Sequence, residues 1–359
     1  MSQEVRGVIA RSKGAPVELV TINVPDPGPG EAVVTIQACG VCHTDLHYRE
    51  GGIGEDYPYL LGHEAAGLVE SVGAGVADLA PGDYVILNWR AVCGSCRACR
   101  RGRPWYCFAT HNAKQKMTLT DGTELSPALG IGAFIDKTLV AAGQCTKVDP
   151  TARPAAAGLL GCGVMAGLGA AINTGNVGRG DSVAVIGCGA IGLGVTAGAK
   201  FRGGRVIAID VDDAKLELAK ACGADHVINS HRESLHERLL EFTDGLGPRV
   251  VVEAVGLAGT YQTAIEEACY AGRVVCLGYA KAPIALDTKL FVLKELDIVG
   301  SRNALPADFA DVVGMLERGG FPSERIVSHR VGLDGAAAAL RQWSDEPATV
   351  TKIHVSLDA

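Results

Sequence analysis

Four cysteines fall within fifteen residues, as Cys93-x2-Cys96-x2-Cys99-x7-Cys107. Thiolates spaced two or three residues apart can wrap one ion, and zinc accepts four of them tetrahedrally at about 2.3 Å. Four protein ligands leave no open position, so such a site holds structure and performs no reaction. The alternatives are an iron–sulfur centre or free surface thiols. Arg97, Arg100, Arg101 and Arg103 accompany the cluster and can offset the charge of four thiolates. A nucleic-acid-reading zinc ribbon is disfavoured, because the cluster is one loop without a second cysteine pair or a recognition helix.

Three further residues, Cys42, His63 and Cys162, lie far apart in the chain. Alone, a cysteine is usually a small buried hydrophobe. Their contexts say more. Cys42 opens Cys42-His43-Thr44-Asp45-Leu46-His47, which packs polar groups into an apolar stretch. His63 sits in Gly62-His63-Glu64-Ala65-Ala66-Gly67, and Cys162 in Leu160-Gly161-Cys162-Gly163.

A third constellation is Gly187-Cys188-Gly189-Ala190-Ile191-Gly192, a G-x-G-x-x-G. In a chain with 47 glycines the pattern is weak until its context is added. A strand-like run, Ser182–Ile186, precedes it and a helix-like stretch follows. Asp210 ends the next strand-like run. Such a loop lets a pyrophosphate approach a helix N-terminus. Asp210 can accept from a ribose 2′-hydroxyl and would repel a 2′-phosphate, which favours NAD over NADP.

The elements that must position these groups change character along the chain. Before residue 150, short apolar runs such as Ala32–Ala38, Gly67–Val72 and Tyr84–Asn88 alternate with Pro/Gly punctuation, which reads as mostly β. From about residue 164, strand-like Ser182–Ile186, Arg205–Ile209, His226–Ile228, Arg249–Glu253 and Arg273–Leu277 alternate with helical stretches such as Asp212–Gly223. That rhythm predicts a doubly wound parallel sheet. After about Gly300 it loosens, and the tail is expected to rejoin the first domain.

Composition narrows the classes. The chain has 359 residues and a net charge of −7, with no basic block, which argues against binding to a nucleic-acid backbone. The uncharged run Ala155–Ile172 is rich in Ala and Gly and has no basic or aromatic flank, so it reads as a buried interdomain helix and not a membrane span. The first thirteen residues lack the apolar core of a signal peptide. Twelve cysteines without an export signal point to metal ligation in a reducing cytoplasm.

Gly62-His63-Glu64-x2-Gly67-x5-Gly73-x2-Val76 resembles the signature of zinc-containing medium-chain dehydrogenases/reductases, and the four-cysteine loop is similar to that family's structural-zinc lobe. The resemblance covers essentially the whole chain. It implies an α/β protein, with a GroES-like β-rich catalytic domain (1–163 and 300–359) and a Rossmann NAD-binding domain (164–299). It implies two zinc ions per chain: a catalytic one on Cys42, His63 and Cys162, and a structural one on Cys93, Cys96, Cys99 and Cys107. Glu64 would stand behind the catalytic ion or ligate it transiently, and Asp45 would hydrogen-bond a ligand. Thr44 would meet the substrate oxygen, with the cofactor ribose and then His47 carrying the proton outward. Lys215 would contact the adenosine ribose, and His43 and Lys352 the pyrophosphate. Trp89 and Leu129 would line the substrate pocket. A homodimer or homotetramer acting on a small-molecule alcohol is expected, with no membrane or nucleic-acid partner.

The substrate is divided by the same likeness. Residues 1 to about 187 resemble thiol-dependent formaldehyde dehydrogenases, most closely the mycothiol-dependent type, at Cys39–Asp45, Asn88–Cys93 and Leu159–Gly167. The remainder is more similar to polyol and sugar-acid dehydrogenases, at Gly278–Pro283 and Gly300–Ala304. Cys162 favours the first, because the polyol branch usually carries a carboxylate there. His111 stands where an Arg often serves glutathione, and Ala166 where Thr or Ser is common. The expected reaction is NAD-linked oxidation of a primary alcohol or an S-hydroxymethyl-thiol adduct. Polyol or sugar-acid oxidation is the alternative. A non-catalytic crystallin-like protein or a redox sensor is a more distant one, since every metal ligand is present and Cys39, Cys145, Cys188, Cys222, Cys269 and Cys276 form no C-x-x-C pair.

Overall fold

The computed structural model describes residues 2–149, 162–280, 282–302, 315, 321–346 and 350–357. The chain forms two compact units, Met1–Cys162 with Val327–Ala359, and Gly163–Ile326. The tail therefore leaves the second unit at Val327, later than the expected 300. The reason is local: Asp297–Gly300 pairs with Arg273–Cys276 as a sixth parallel strand, so the chain is still inside the second unit there.

The first unit is built on two sheets. One contains, in order, Cys145–Lys147, Tyr84–Leu87, Glu64–Val72, Glu31–Val41, Ile353–Ser356 and His329–Gly332, with Lys137–Ala141 also paired to Glu31–Val41. Register matters most here. Gly40 lies opposite Glu64 on one side and His354 on the other. The ends of three neighbouring strands thus bring Cys42, His63, Glu64 and Lys352 together. A core of Val8, Ile36, Leu61, Val85, Phe134 and Leu340 fixes this geometry.

The second unit is a six-stranded parallel sheet in the order His226–Asn229, Arg205–Asp210, Ser182–Ile186, Val250–Glu253, Arg273–Cys276, Asp297–Gly300. The two central strands are buried throughout most of their length, as Val/Ile/Ala runs require when helices cover both faces. Separate apolar clusters lie around Val183, Val185 and Val252 and around Ala184, Ile207 and Val251, which places one on each face of the sheet. Helix Asp213–Ala221 starts where Asp212 accepts from the Ala214 N–H at 2.8 Å, and Leu235–Phe242 where Ser234 caps Glu237.

Of the apolar run 155–172, positions 155–161 lie outside the described residues; Gly163–Gly169 is helical and continues as a wider turn through Thr174. Positions 281, 303 and 304 of the quoted polyol-like motifs also lie outside them. Among the described residues, no helix is long and apolar enough to cross a membrane.

Candidate functional site

In the first unit, Cys42 caps helix His43–Glu50. Its Sγ, a His63 ring nitrogen, a Glu64 carboxylate oxygen and the Cys162 Sγ all lie within 4.8 Å of one another. Asp45 is fully buried and organises this cluster. Its Oδ2 accepts the Cys42 N–H at 2.9 Å, and its Oδ1 accepts the Gly62 N–H at 2.9 Å and faces His63 Nδ1 at 3.2 Å. Locking Nδ1 turns Nε2 toward the thiols. That nitrogen is buried with no hydrogen-bond partner among the described residues. A buried orphan nitrogen beside two thiols is what a metal ligand looks like without its ion.

The electrostatics agree. A hydrogen bond from the Cys162 thiol, opposed by burial, holds Cys42 well below the ordinary thiol range. Burial alone would lower His63, yet Asp45 and Cys42 hold its pKa well above the usual value. Burial pushes Glu64 up to about 7 against the pull of Lys352. Lys352, expected at a pyrophosphate, is instead buried and ion-paired with Glu64 Oε2.

Thr44 Oγ1 lies 3.6 Å from Cys42 Sγ. His47, one helical turn on, is exposed. His43 stands at the start of the same helix, its ring edge-on to Trp343 at 5.0 Å. Trp89 and Leu129 both pack against the core of this unit. Arg90 stacks over Trp89 at 4.2 Å. Leu129 adopts a left-handed φ of 52° while donating its N–H to Tyr48 Oη at 3.1 Å. A bulky residue there carries backbone strain, a feature common at ligand walls.

The four-cysteine loop closes on itself. Sγ separations are 3.5 Å for Cys96–Cys99, 3.9 Å for Cys96–Cys107 and 3.5 Å for Cys93–Cys107. A tetrahedron with 2.3 Å bonds has edges of about 3.8 Å. The Cys96 N–H points at Cys93 Sγ at 3.3 Å, and the Cys93 N–H at Cys107 Sγ at 3.4 Å, as acceptor thiolates require. Backbone N–H groups lower Cys96 to about 6.

In the second unit, Gly187 has φ +97° and Gly189 caps helix Ala190–Phe201. A side chain at Gly192 would collide with the Gly187 carbonyl, so the strand–loop–helix turn needs glycine there. Ile191 lies half-buried in the helix's first turn. Asp210 Oδ2 accepts the Cys188 N–H, and Oδ1 those of Val211 and Asp212. Lys215 is half-buried in the next helix. Val211, Val255, Leu257 and Tyr279 follow the carboxyl ends of three strands and are exposed, at 50%, 43%, 61% and 82%. Apolar groups left open at strand carboxyl ends suit the planar rings of a nucleotide. Sequence reasoning missed them, and missed Glu253, although a carboxylate ending an apolar strand was a visible signal.

Residues 28–151 match the alcohol dehydrogenase GroES-like domain and residues 190–318 the zinc-binding dehydrogenase domain. The chain is 36% identical to an S-(hydroxymethyl)glutathione dehydrogenase of Photobacterium damsela subsp. piscicida, across 97% of this chain and 99% of that one. It belongs to the zinc-dependent alcohol dehydrogenase family. A second enzyme of that name, from Synechocystis sp., is 39% identical over 80% of this chain and 81% of its own. Among solved structures, an alcohol dehydrogenase zinc-binding domain protein from Burkholderia ambifaria has a TM-score of 0.93 at 29% identity, covering both chains fully. Benzyl alcohol dehydrogenase from Acinetobacter calcoaceticus has 0.89 at 27%, covering 99% of this chain and 100% of that one. Alcohol dehydrogenases are a standard instance of a Cys2His zinc site that keeps a position open. The cluster of Cys42, His63 and Cys162 has that donor set.

Proposed function

We propose that this dehydrogenase oxidises, with NAD, a primary alcohol or the S-hydroxymethyl adduct of a low-molecular-weight thiol. The carrying observation is the two-thiol, one-imidazole cluster beside the Thr44 hydroxyl. Cys42, His63 and Cys162 would hold the catalytic zinc, and Cys93, Cys96, Cys99 and Cys107 the structural one. When bound, zinc supplies Lewis acidity to the substrate oxygen, and the nicotinamide accepts the hydride.

The chain's own residues do the rest. Asp45 fixes the His63 tautomer and the Cys42 backbone together, so the ligand geometry is set before substrate arrives. Lys352 holds the Glu64 carboxylate, which keeps it from occupying the open position. Thr44 accepts a hydrogen bond from the substrate hydroxyl and, as it takes that proton, gives up its own hydroxyl proton outward, and exposed His47 hands a proton to solvent. In the second unit, the Gly187–Gly192 loop and the N-terminus of helix Ala190–Phe201 would receive the pyrophosphate, with Asp210 and Lys215 toward the adenosine ribose. Asp210 supports NAD over NADP by charge.

The names of the relatives support the thiol-adduct reading, and Cys162 in place of a carboxylate weighs against the polyol alternative. The edge strand Asp297–Gly300, with Val292 79% and Leu293 57% exposed nearby, supports a homo-oligomer. The test is a zinc count together with NADH formation from formaldehyde, with and without mycothiol or glutathione, beside long-chain alcohols and sugar acids. Two zinc ions and a thiol-dependent rate are expected. Sugar-acid oxidation without a thiol-dependent response to formaldehyde would overturn the substrate assignment.

A further inference from the structure

Glu253 ends the strand Val250–Glu253 and is fully buried. One oxygen, Oε1, accepts three hydrogen bonds: from the Val255 N–H at 2.9 Å, the Gly256 N–H at 2.8 Å and the Thr260 hydroxyl at 2.7 Å. The other, Oε2, has no partner among the described residues and lies 2.5 Å from where a Gly278 side chain would begin. A buried carboxylate with half its acceptor capacity unused is costly, and a fold whose aim was stability alone would do better with an apolar residue. What the carboxylate achieves is positional. It clamps the turn 254–256 to the start of helix Ala258–Glu267.

That turn meets the glycine loop and the loop after Arg273–Cys276. Val255 Cγ2 lies 2.6 Å from where a Gly187 Cβ would sit. The Glu253 carbonyl accepts the N–H groups of Leu277 and Gly278, at 2.9 and 3.1 Å. The Tyr261 hydroxyl donates to the Gly278 carbonyl at 2.5 Å. Three loops at the carboxyl ends of adjacent parallel strands are therefore referenced to one residue, at the place where open α/β sheets take their ligand.

We infer that Glu253 is a positioning residue for the nucleotide cofactor: its carboxylate sets the height of Val255 over Gly187, and so the shape of the surface against which the cofactor lies. The inference rests on the NAD reading above. Glu253 acts through two backbone N–H groups and the Thr260 hydroxyl, so the acceptor atom matters and the charge does not. Glu253→Gln keeps an oxygen that can accept all three bonds. Glu253→Ala removes it, and Thr260→Val removes one donor while leaving the carboxylate.

The experiment uses the zinc-loaded full chain and titrates NADH by fluorescence, followed by KM for NAD and kcat with the alcohol found best in the panel. Expected are a rise of at least about tenfold in NADH Kd and NAD KM for Glu253→Ala, with kcat at saturating NAD within about threefold. Glu253→Gln should stay within about threefold of the parent on every constant, and Thr260→Val should fall between. An unchanged Kd in Glu253→Ala, a loss confined to kcat, or a Glu253→Gln protein as weak as the alanine variant would each overturn the inference. If Glu253→Ala does not fold, an NADH Kd for Thr260→Val equal to that of the parent overturns it. A parent protein that binds no NADH would refute the NAD reading itself, which keeps the two failures apart.

Discussion

Asp210 Oδ2 accepts the backbone N–H of Cys188 at 2.7 Å, so the residue proposed to read the ribose also ties down the glycine loop. Its second oxygen holds the Val211 and Asp212 N–H groups. Three charge-assisted bonds are lost together in Asp210→Ala, each worth roughly 1.5–3 kcal/mol. The variant should therefore lose kcat/KM for NAD by about tenfold or more and, at the same time, discriminate less against NADP. Asp210→Asn keeps one acceptor oxygen, so part of this bridge survives, and it should relax discrimination with a smaller loss for NAD. Parallel kinetics with both cofactors check this; a native protein that prefers NADP would remove Asp210 from the argument.

The buried pair of Glu64 and Lys352 makes a second prediction. With Lys352→Met, the Glu64 carboxylate loses the ammonium that faces it while remaining near Cys42, His63 and Cys162. It is then expected to compete for the open position. Zinc content should be retained or rise, while kcat falls by about tenfold or more. Glu64→Gln in the same background should restore part of the rate. Metal analysis beside kinetics distinguishes this from simple unfolding, which would lose both.

The two clusters that could hold a metal were legible because their residue types are rare and their neighbours are small or polar. The Rossmann strands were legible because each is a short β-branched run between turn residues, and Ser182–Ile186 matches residue for residue. The Glu64–Lys352 pair was not, since it joins positions 288 apart in the chain. Only the register of Glu31–Val41 between two neighbouring strands brings them together. Glu253 visibly ends an apolar strand, but its partners were hidden: two of the three are backbone N–H groups, which carry no sequence signature.

Metal removal should separate the two clusters. Cys96 takes part in two of the Sγ separations near 3.8 Å that close the cysteine loop. Cys96→Ser is expected to lower the melting temperature and solubility, because a structural zinc contributes folding free energy directly. Cys42→Ser should leave the far-UV spectrum and melting temperature nearly unchanged and reduce turnover below detection. Equal melting temperatures for Cys96→Ser and the parent would show that the loop does not depend on its metal.

His354 predicts a pH effect on stability. It is 2% exposed, its Nε2 has no partner among the described residues, and burial, reinforced by Arg330 and Lys352, pushes its pKa down to about 4. The unfolded chain takes up a proton near pH 6.5 that the folded chain refuses until about pH 4. The stability this neutral form confers is complete above pH 6.5 and is lost as pH falls through that window, amounting to about 2 kcal/mol by pH 5. Urea midpoints at pH 7.5 and 5.0 should show a smaller drop for His354→Leu than for the parent. Equal drops would sink the assignment.

The proton exit gives the last prediction. Thr44 sits beside the Cys42 thiol, and His47 lies one turn along the same helix with its ring in solvent. Their proposed duties differ. Thr44 would touch the substrate oxygen, so nothing in solution could take its place. His47 would only export a proton, so an external base could. His47→Ala is therefore expected to slow alcohol oxidation most at low pH, with partial recovery on raising pH or adding imidazole. Thr44→Ala should lose more, and added base should restore none of it. General acid–base contributions run to about 10²–10⁴-fold, so both effects stand well above error. Zinc content should be unchanged in both variants, because neither side chain supplies a ligand atom to the metal cluster. A His47→Ala rate equal to the parent's across the pH range would remove His47 from the reaction and leave Thr44 with direct access to water as its only outlet.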